Sequence, residues 1–222
     1  MKLIKNNVCA PKGFTAVGKP IGIKKSGKPD FAVIYSEVLA DAAAVYTSNK
    51  VKGAPLIVTK KHLSNGKAQA IVVNSGVSNV CTGKKGIKDA EDMTKLVGNE
   101  LGINPKDVVV ASTGLIGAYL PMEKIKNGIK GIKNELSVNS NASKAILTTD
   151  LVEKEIATKF GNFTIGAIAK GSGMIHPNMA TMLCFITTDA KIPAAKLQKF
   201  LKKAVAESFN MISVDMDPST SD

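Results

Sequence analysis

Short β-branched runs alternate with stretches of helical period along this chain. That alternation confines it to a layered α/β class. AVIYSE (32–37), PLIVT (55–59), AIVVN (70–74), VVVAS (108–112), FTIGAIA (163–169) and MLCFITT (182–188) are bounded by turn residues and read as strands. A helical pattern starts near Asp89 and runs through AEDMTKLVGNEL, with Asp89, Glu91 and Asp92 placed to meet the positive end of a helix dipole. LPMEKIKNGIKGIKNEL repeats Met122, Ile125, Ile129 and Ile132 at helical spacing, and Pro121 suits a first turn. IPAAKLQKFLKKAVAESF (192–209) sets Leu197, Leu201, Val205 and Phe209 on one stripe, with its lysines mostly on the other face. The polar segment LSVNSNASK (136–144) reads as a surface loop or linker. The pattern allows either two packed sheets or one doubly wound sheet.

Composition decides what fills and what surrounds those layers. A chain of 222 residues can bury a sizeable core, and with 5% aromatics and no Trp that core must be aliphatic. The net charge is +12, and all 30 basic residues are lysines. A nucleic-acid reader would be expected to use arginine forks on phosphate and guanine, so no nucleic-acid partner is expected. Lysine is a strongly hydrated point charge suited to a solvated surface and to attracting acidic small molecules. Cys9, Cys81 and Cys184 stand far apart with no CxxC spacing, which argues against a disulfide framework or a zinc site and fits a reducing cytoplasm. No apolar run reaches the length of a signal peptide or a membrane span.

Few residues advertise chemistry. The chain has no HExxH, no GxxxxGK[ST] and no dinucleotide GxGxxG after a strand. His62 and His176 are far apart and form no Ser-His-Asp set. STGLIG (112–117) directly follows the strand VVVAS. A chain turning there can aim N–H groups into a pocket as an oxyanion hole does, although the hexapeptide alone reads more simply as an ordinary strand-to-helix turn. In KGSGMIHPNMATMLCFITTDA (170–190) two glycines and a proline signal a loop and MATMLCFIT signals a buried strand, with Ala180-Thr181 at the junction. Thr181 is there either a β-branched residue opening a strand or a nucleophile at a strand end.

Several stretches in order resolve that choice by resemblance. YSEVLADAAAVYTSN (35–49), VKGAPL (51–56), NSGVSNVCTG (74–83), ASTGLIG (111–117), ILTTD (146–150), KGSGMIHPNMATML (170–183), FITTDA (185–190) and SVDMDPSTSD (213–222) together resemble the ornithine acetyltransferase (glutamate N-acetyltransferase) family of arginine biosynthesis. The resemblance implies an N-terminal-nucleophile fold, an α/β (α+β) arrangement of sheets packed against each other with outer helices. It implies a precursor that cuts itself between Ala180 and Thr181, so that residues 1–180 form an alpha chain and 181–222 begin a beta chain. Thr181 would then carry the acetyl group from N-acetylornithine to glutamate, with acetyl-CoA a further donor in some members. Thr113 and Gly114 match the oxyanion pair, Thr148 and Lys170 match substrate-binding positions, and no metal or organic cofactor is required. The processed chains are expected to assemble as a heterotetramer. Resolution of the acyl-enzyme by water, as in an aminopeptidase or amidase, is the neighbouring chemistry, and an inactive remnant is the non-enzymatic alternative.

Departures from the family pattern are local. Val77 and Ser78 replace an Asn-Ala pair, and Met216, Pro218 and Ser221 alter the block usually written DGDTSTND. Met216 in place of Gly loses access to positive φ, and Pro218 removes a backbone donor. Family members continue for a long second half, which carries a Glu and an Asn near the substrate.

Overall fold

The computed structural model describes residues 1–175, 182–215 and 219–220. Its strands are β1 (Lys2–Ile4), β2 (Phe14–Lys19), β3 (Phe31–Asp41), β4 (Lys67–Val77), β5 (Val108–Leu115), β6 (Lys154–Phe160), β7 (Phe163–Lys170) and β8 (Leu183–Thr188). They form two four-stranded sheets, ordered β2-β3-β4-β5 and β1-β6-β7-β8. All neighbours pair antiparallel except β4 and β5, which run parallel with Ala70 opposite Val108 and Gly76 opposite Gly114. The helices are α1 (Ala54–His62), α2 (Gly83–Leu101), α3 (Met122–Ile129), α4 (Ile132–Glu135), α5 (Ala142–Ala145) and α6 (Ala194–Ala206).

Side-chain alternation turns these strands into layers. Phe31, Val33, Val72, Val108 and Val110 face one way and pack with Met93, Val97, Ile125 and Ile129 of α2 and α3. Their neighbours Ala32, Ile34 and Val73 face the other way and pack with Ile168 and Leu183 of the second sheet. A strand buried on both faces has no polar alternation, which explains the continuous runs AIVV and VVVA. Burying each such Val, Ile or Phe contributes about 1.5–3 kcal/mol. The layered α/β expectation therefore holds, as two packed sheets rather than a doubly wound one.

PLIVT is a correction. It lies in α1, with Gly53 before it, Pro55 in the first turn, and Pro55, Leu56 and Val58 buried. A short apolar run does not distinguish a strand from a buried helix turn. The helix closes the free edge of β5. Thr59 Oγ1 donates to Val110 O at 2.6 Å and accepts from Val110 N at 2.8 Å, and His62 Nδ1 lies 2.7 Å from Val108 O. Covering an edge in this way removes a template for unwanted strand pairing.

Other boundaries moved for identifiable reasons. α2 starts at Gly83 instead of near Asp89, so Asp89 sits mid-helix, buried and paired with Lys85 at 2.6 Å. The stretch 120–136 breaks into α3 and α4 at Gly131, whose φ of +76° interrupts the helix. β6 escaped detection because Ala157 is its only buried residue, leaving no apolar alternation to read. Among the described residues no helix is long and apolar enough to cross a membrane.

Candidate active site

β4 and β5 end in matching heptads, AIVVNSG (70–76) and VVVASTG (108–114), held in register so that Ser75 faces Thr113 and Gly76 faces Gly114. Gly114 has a φ of +126° and Gly76 one of +111°. A Cβ on Gly114 would stand 2.7 Å from both Cα and O of Gly76, closer than real side chains come. Two bare backbones therefore touch, and only glycine fits. Thr113 is 2% exposed and sits on the face toward the second sheet, the side where Ala111 packs and Ser75 Oγ donates to Ala145 O at 2.6 Å. Beyond it the strand surfaces, with Leu115 and Ile116 exposed. Ser78 ties the exit down through Oγ and N, which donate to Leu115 O at 2.9 and 3.0 Å. Val77 packs against the helix-side core. The Val77-Ser78 departure thus has a structural use.

A chain of contacts links this end to the other predicted residues. Ile23 and Lys24 cover Gly76. The half-buried Lys24 Nζ donates to Leu147 O at 2.7 Å and Pro29 O at 2.8 Å, and its backbone N donates to buried Asp30 at 2.8 Å. Desolvation pulls the Lys24 pKa below the usual lysine value, opposed by the nearby Asp30 carboxylate. Leu147 leads into exposed Thr148 and then Asp150. Asp150 accepts from Gly171 N at 2.8 Å and from Lys154 Nζ at 2.6 Å. Burial would raise its pKa, but these donors outweigh it and hold it below the ordinary carboxylate value. Thr149 Oγ1 and Ser172 Oγ are 2.6 Å apart. The 148–150 turn is thereby stitched to the residues that follow Lys170.

Lys170 ends β7 opposite Leu183 and is 2% exposed. It lies on the same face as Ile168, turned between the sheets, which is a rare place for a lysine. Thr113, Thr148 and Lys170 thus belong to one end of the molecule. Ala180 and Thr181 lie outside the described residues, as do His176, Met216, Pro218 and Ser221. Sequence reasoning missed Lys24, Gly76 and Asp150. Gly76 and Asp150 lie within the resembling stretches NSGVSNVCTG and ILTTD, and a further signal was the matching pair of heptads, whose terminal glycines align only if the strands are parallel neighbours.

Two concavities lie elsewhere. One of about 450 Å³ lies between Val45, Tyr46 and α6, and one of about 270 Å³ lies beside Lys52, Cys81 and the start of α2. Neither is lined by Thr113, Thr148 or Lys170. The chemistry of the β5 end recommends it over these two hollows. Burial pushes the Cys9 and Cys184 thiols up to about 11, leaving them inert, while Cys81 is exposed.

Comparison with known proteins extends this picture. Residues 15–222 match the model of the ArgJ family. The chain is 52% identical over 227 residues to an arginine biosynthesis bifunctional protein ArgJ of Listeria monocytogenes, and 50% identical over 228 residues to one of Caldanaerobacter subterraneus. The alignments take in all of this chain but 57% and 56% of those proteins, so the chain spans little more than half the length of these relatives. Among solved structures, it resembles the arginine biosynthesis bifunctional protein ArgJ of Bacillus halodurans at a TM-score of 0.72 and 42% identity. It also resembles the ornithine acetyltransferase of Mycobacterium tuberculosis, complexed with ornithine, at a TM-score of 0.76 and 36% identity. In each case 82% of this chain aligns, with 97% and 99% of the solved chain respectively.

Proposed function

Since the chain belongs to the ArgJ family, we propose that it carries the nucleophile and oxyanion machinery of a self-processing acetyltransferase of arginine biosynthesis. Thr181 Oγ attacks the Ala180 carbonyl carbon, and the C–N bond breaks as the nitrogen takes up a proton, leaving an ester. Water resolves the ester into an Ala180 carboxylate and a free Thr181. The new α-amine, with an ordinary pKa of about 7.7–8.0, is partly neutral near pH 7 and serves as base to its own hydroxyl. Thr181 Oγ then takes the acetyl group of N-acetylornithine and releases ornithine. The glutamate α-amine removes the acetyl group and regenerates the hydroxyl.

Thr113 and Gly114 are the oxyanion donors in this reading, and Thr148 and Lys170 hold the substrate. The observation that carries it is the contact of Gly114 with Gly76, which keeps the backbone beside buried Thr113 free of side chains. The extent of the solved relatives supports the cleavage. Almost their whole chains align with 82% of these 222 residues, about 182, close to the length of a 1–180 piece. Processing then divides the protein into 1–180 and a chain beginning at Thr181, assembled as a heterotetramer. The substrates are small amino-acid derivatives, with acetyl-CoA a candidate second donor.

Intact mass after expression tests the reading. A species ending at Ala180 is expected from the native sequence and one uncut chain from Thr181→Ala. A Thr181→Ala protein that still cleaves and transfers acetyl groups would overturn it. Incubation with N-acetylornithine with and without glutamate separates transfer from hydrolysis, since acetate released without glutamate points to water as acceptor.

A further inference from the structure

We propose that Asp150 is a positioning residue for substrate binding, locking the exposed bend that carries Thr148 to the backbone on either side of Lys170. The inference rests on the acetyltransferase reading above, in which those two residues hold the substrate. The bend has little else to fix its shape. Thr148 and Thr149 are exposed, Leu151 and Val152 are 99% and 65% exposed, and no apolar residue from Leu147 to Glu153 is buried. The Asp150 side chain is the contrast, with no exposed surface. A carboxylate is costly to bury unless donors surround it, and here they come from the strand that ends in Lys170 and the strand paired with it.

That carboxylate is referenced to both neighbours of Lys170. Oδ1 accepts from the N–H of Gly171, the residue after it, at 2.8 Å. Oδ1 also accepts from Lys154 Nζ at 2.6 Å, and Lys154 lies opposite Ala169, the residue before it, in the β6–β7 ladder. Oδ2 stands 3.5 Å from the backbone N of Thr148 itself. Thr149 Oγ1 and Ser172 Oγ, 2.6 Å apart, add a second tie between the same two segments. The start of the bend is held separately, by Lys24 Nζ on Leu147 O at 2.7 Å. Thr148 thus projects from a bend anchored at positions 147 and 150. Bonds from an amide and an ammonium to a carboxylate are charge-assisted and stronger than neutral ones. Without them the Thr148 hydroxyl and the Lys170 ammonium would keep their chemistry and lose their fixed separation, and a shift of about 1 Å is enough to weaken a binding site severely.

The test joins acetyl-transfer kinetics to amide exchange. Asp150→Ala is expected to raise KM for N-acetylornithine and for glutamate about tenfold while kcat falls less than about threefold. Asp150→Asn, which keeps one acceptor and loses the charge, is expected to fall between that variant and the native chain, and circular dichroism identifies the folded variants. Amide exchange at Gly171 is expected to quicken in Asp150→Ala, with exchange at Ile168, buried within β7, unchanged. A folded Asp150→Ala chain with native KM values overturns the proposal, as does a loss confined to kcat. Exchange that quickens equally at Gly171 and Ile168 also overturns it, because the carboxylate would then only support the sheet. A native chain that transfers no acetyl group counts first against the acetyltransferase reading, and the positioning role falls with it.

Discussion

The two sheets are equal in strand number and unequal in cover. The β2-β3-β4-β5 sheet is buried on both faces, by α2 and α3 on one side and by the second sheet on the other. The β1-β6-β7-β8 sheet is buried only on its inner face. Its outer face shows Leu3, Ile156 and Ile186 at 65%, 55% and 48% exposure. Stability should follow cover, because local opening is cheapest where few apolar contacts are lost. The oxyanion candidates Thr113 and Gly114 therefore stand on the doubly covered sheet, while Lys170 stands at the end of a strand of the less covered one.

The largest effect expected from this contrast is at Phe31, fully buried in the doubly covered sheet. Phe31→Ala should cost about 3–5 kcal/mol in denaturant unfolding, whereas a cost under ~1 kcal/mol would erase the distinction. Gly114→Ala comes next. Its φ of +126° and the contact with Gly76 predict a loss of about 3 kcal/mol, read by the same titration. Ile186→Thr, on the open face, should change stability by less than about 1 kcal/mol.

A similarly small effect of opposite sign is expected at Ser112. Its hydroxyl and the Oδ1 of neighbouring Asn74 are buried without a hydrogen-bond partner among the described residues. Ser112→Ala removes an unsatisfied group and should be neutral or stabilising by up to about 1 kcal/mol, seen as an unchanged or raised Tm.

A pH dependence is also expected, confined to alkaline conditions. The Cys9 and Cys184 thiols are raised from 9.0 to about 11 in the fold, so the native state holds protons that the unfolded chain gives up. Their contribution is fully present below pH 9 and is lost as the pH rises toward 11. Thiol titration at pH 8 should label Cys81 first and the other two only on unfolding.

Much of the scaffold was legible because buried parallel and central strands write themselves as uninterrupted β-branched runs, as in AIVVN and VVVAS. PLIVT was misread because an apolar run of that length fits a helix turn as well. β6 was invisible because its pairing is supplied by β7 rather than by its own apolar residues. At the candidate site, STGLIG and the Ala-Thr junction stood out as motifs. Lys24 and Asp150 were given no role, although Asp150 lies in ILTTD, since each acts by reaching a backbone group far away in sequence: Leu147 O and Gly171 N.

The order of residues settled the alternation of elements, the aliphatic core and the family resemblance, because period, composition and motif are properties of neighbours along the chain. Packing settled which glycine faces which, which strand edge a helix closes, and which carboxylate accepts from the Gly171 amide. Those outcomes depend on close contacts between segments many residues apart, where a few tenths of an ångström decide whether a side chain is allowed or a hydrogen bond forms.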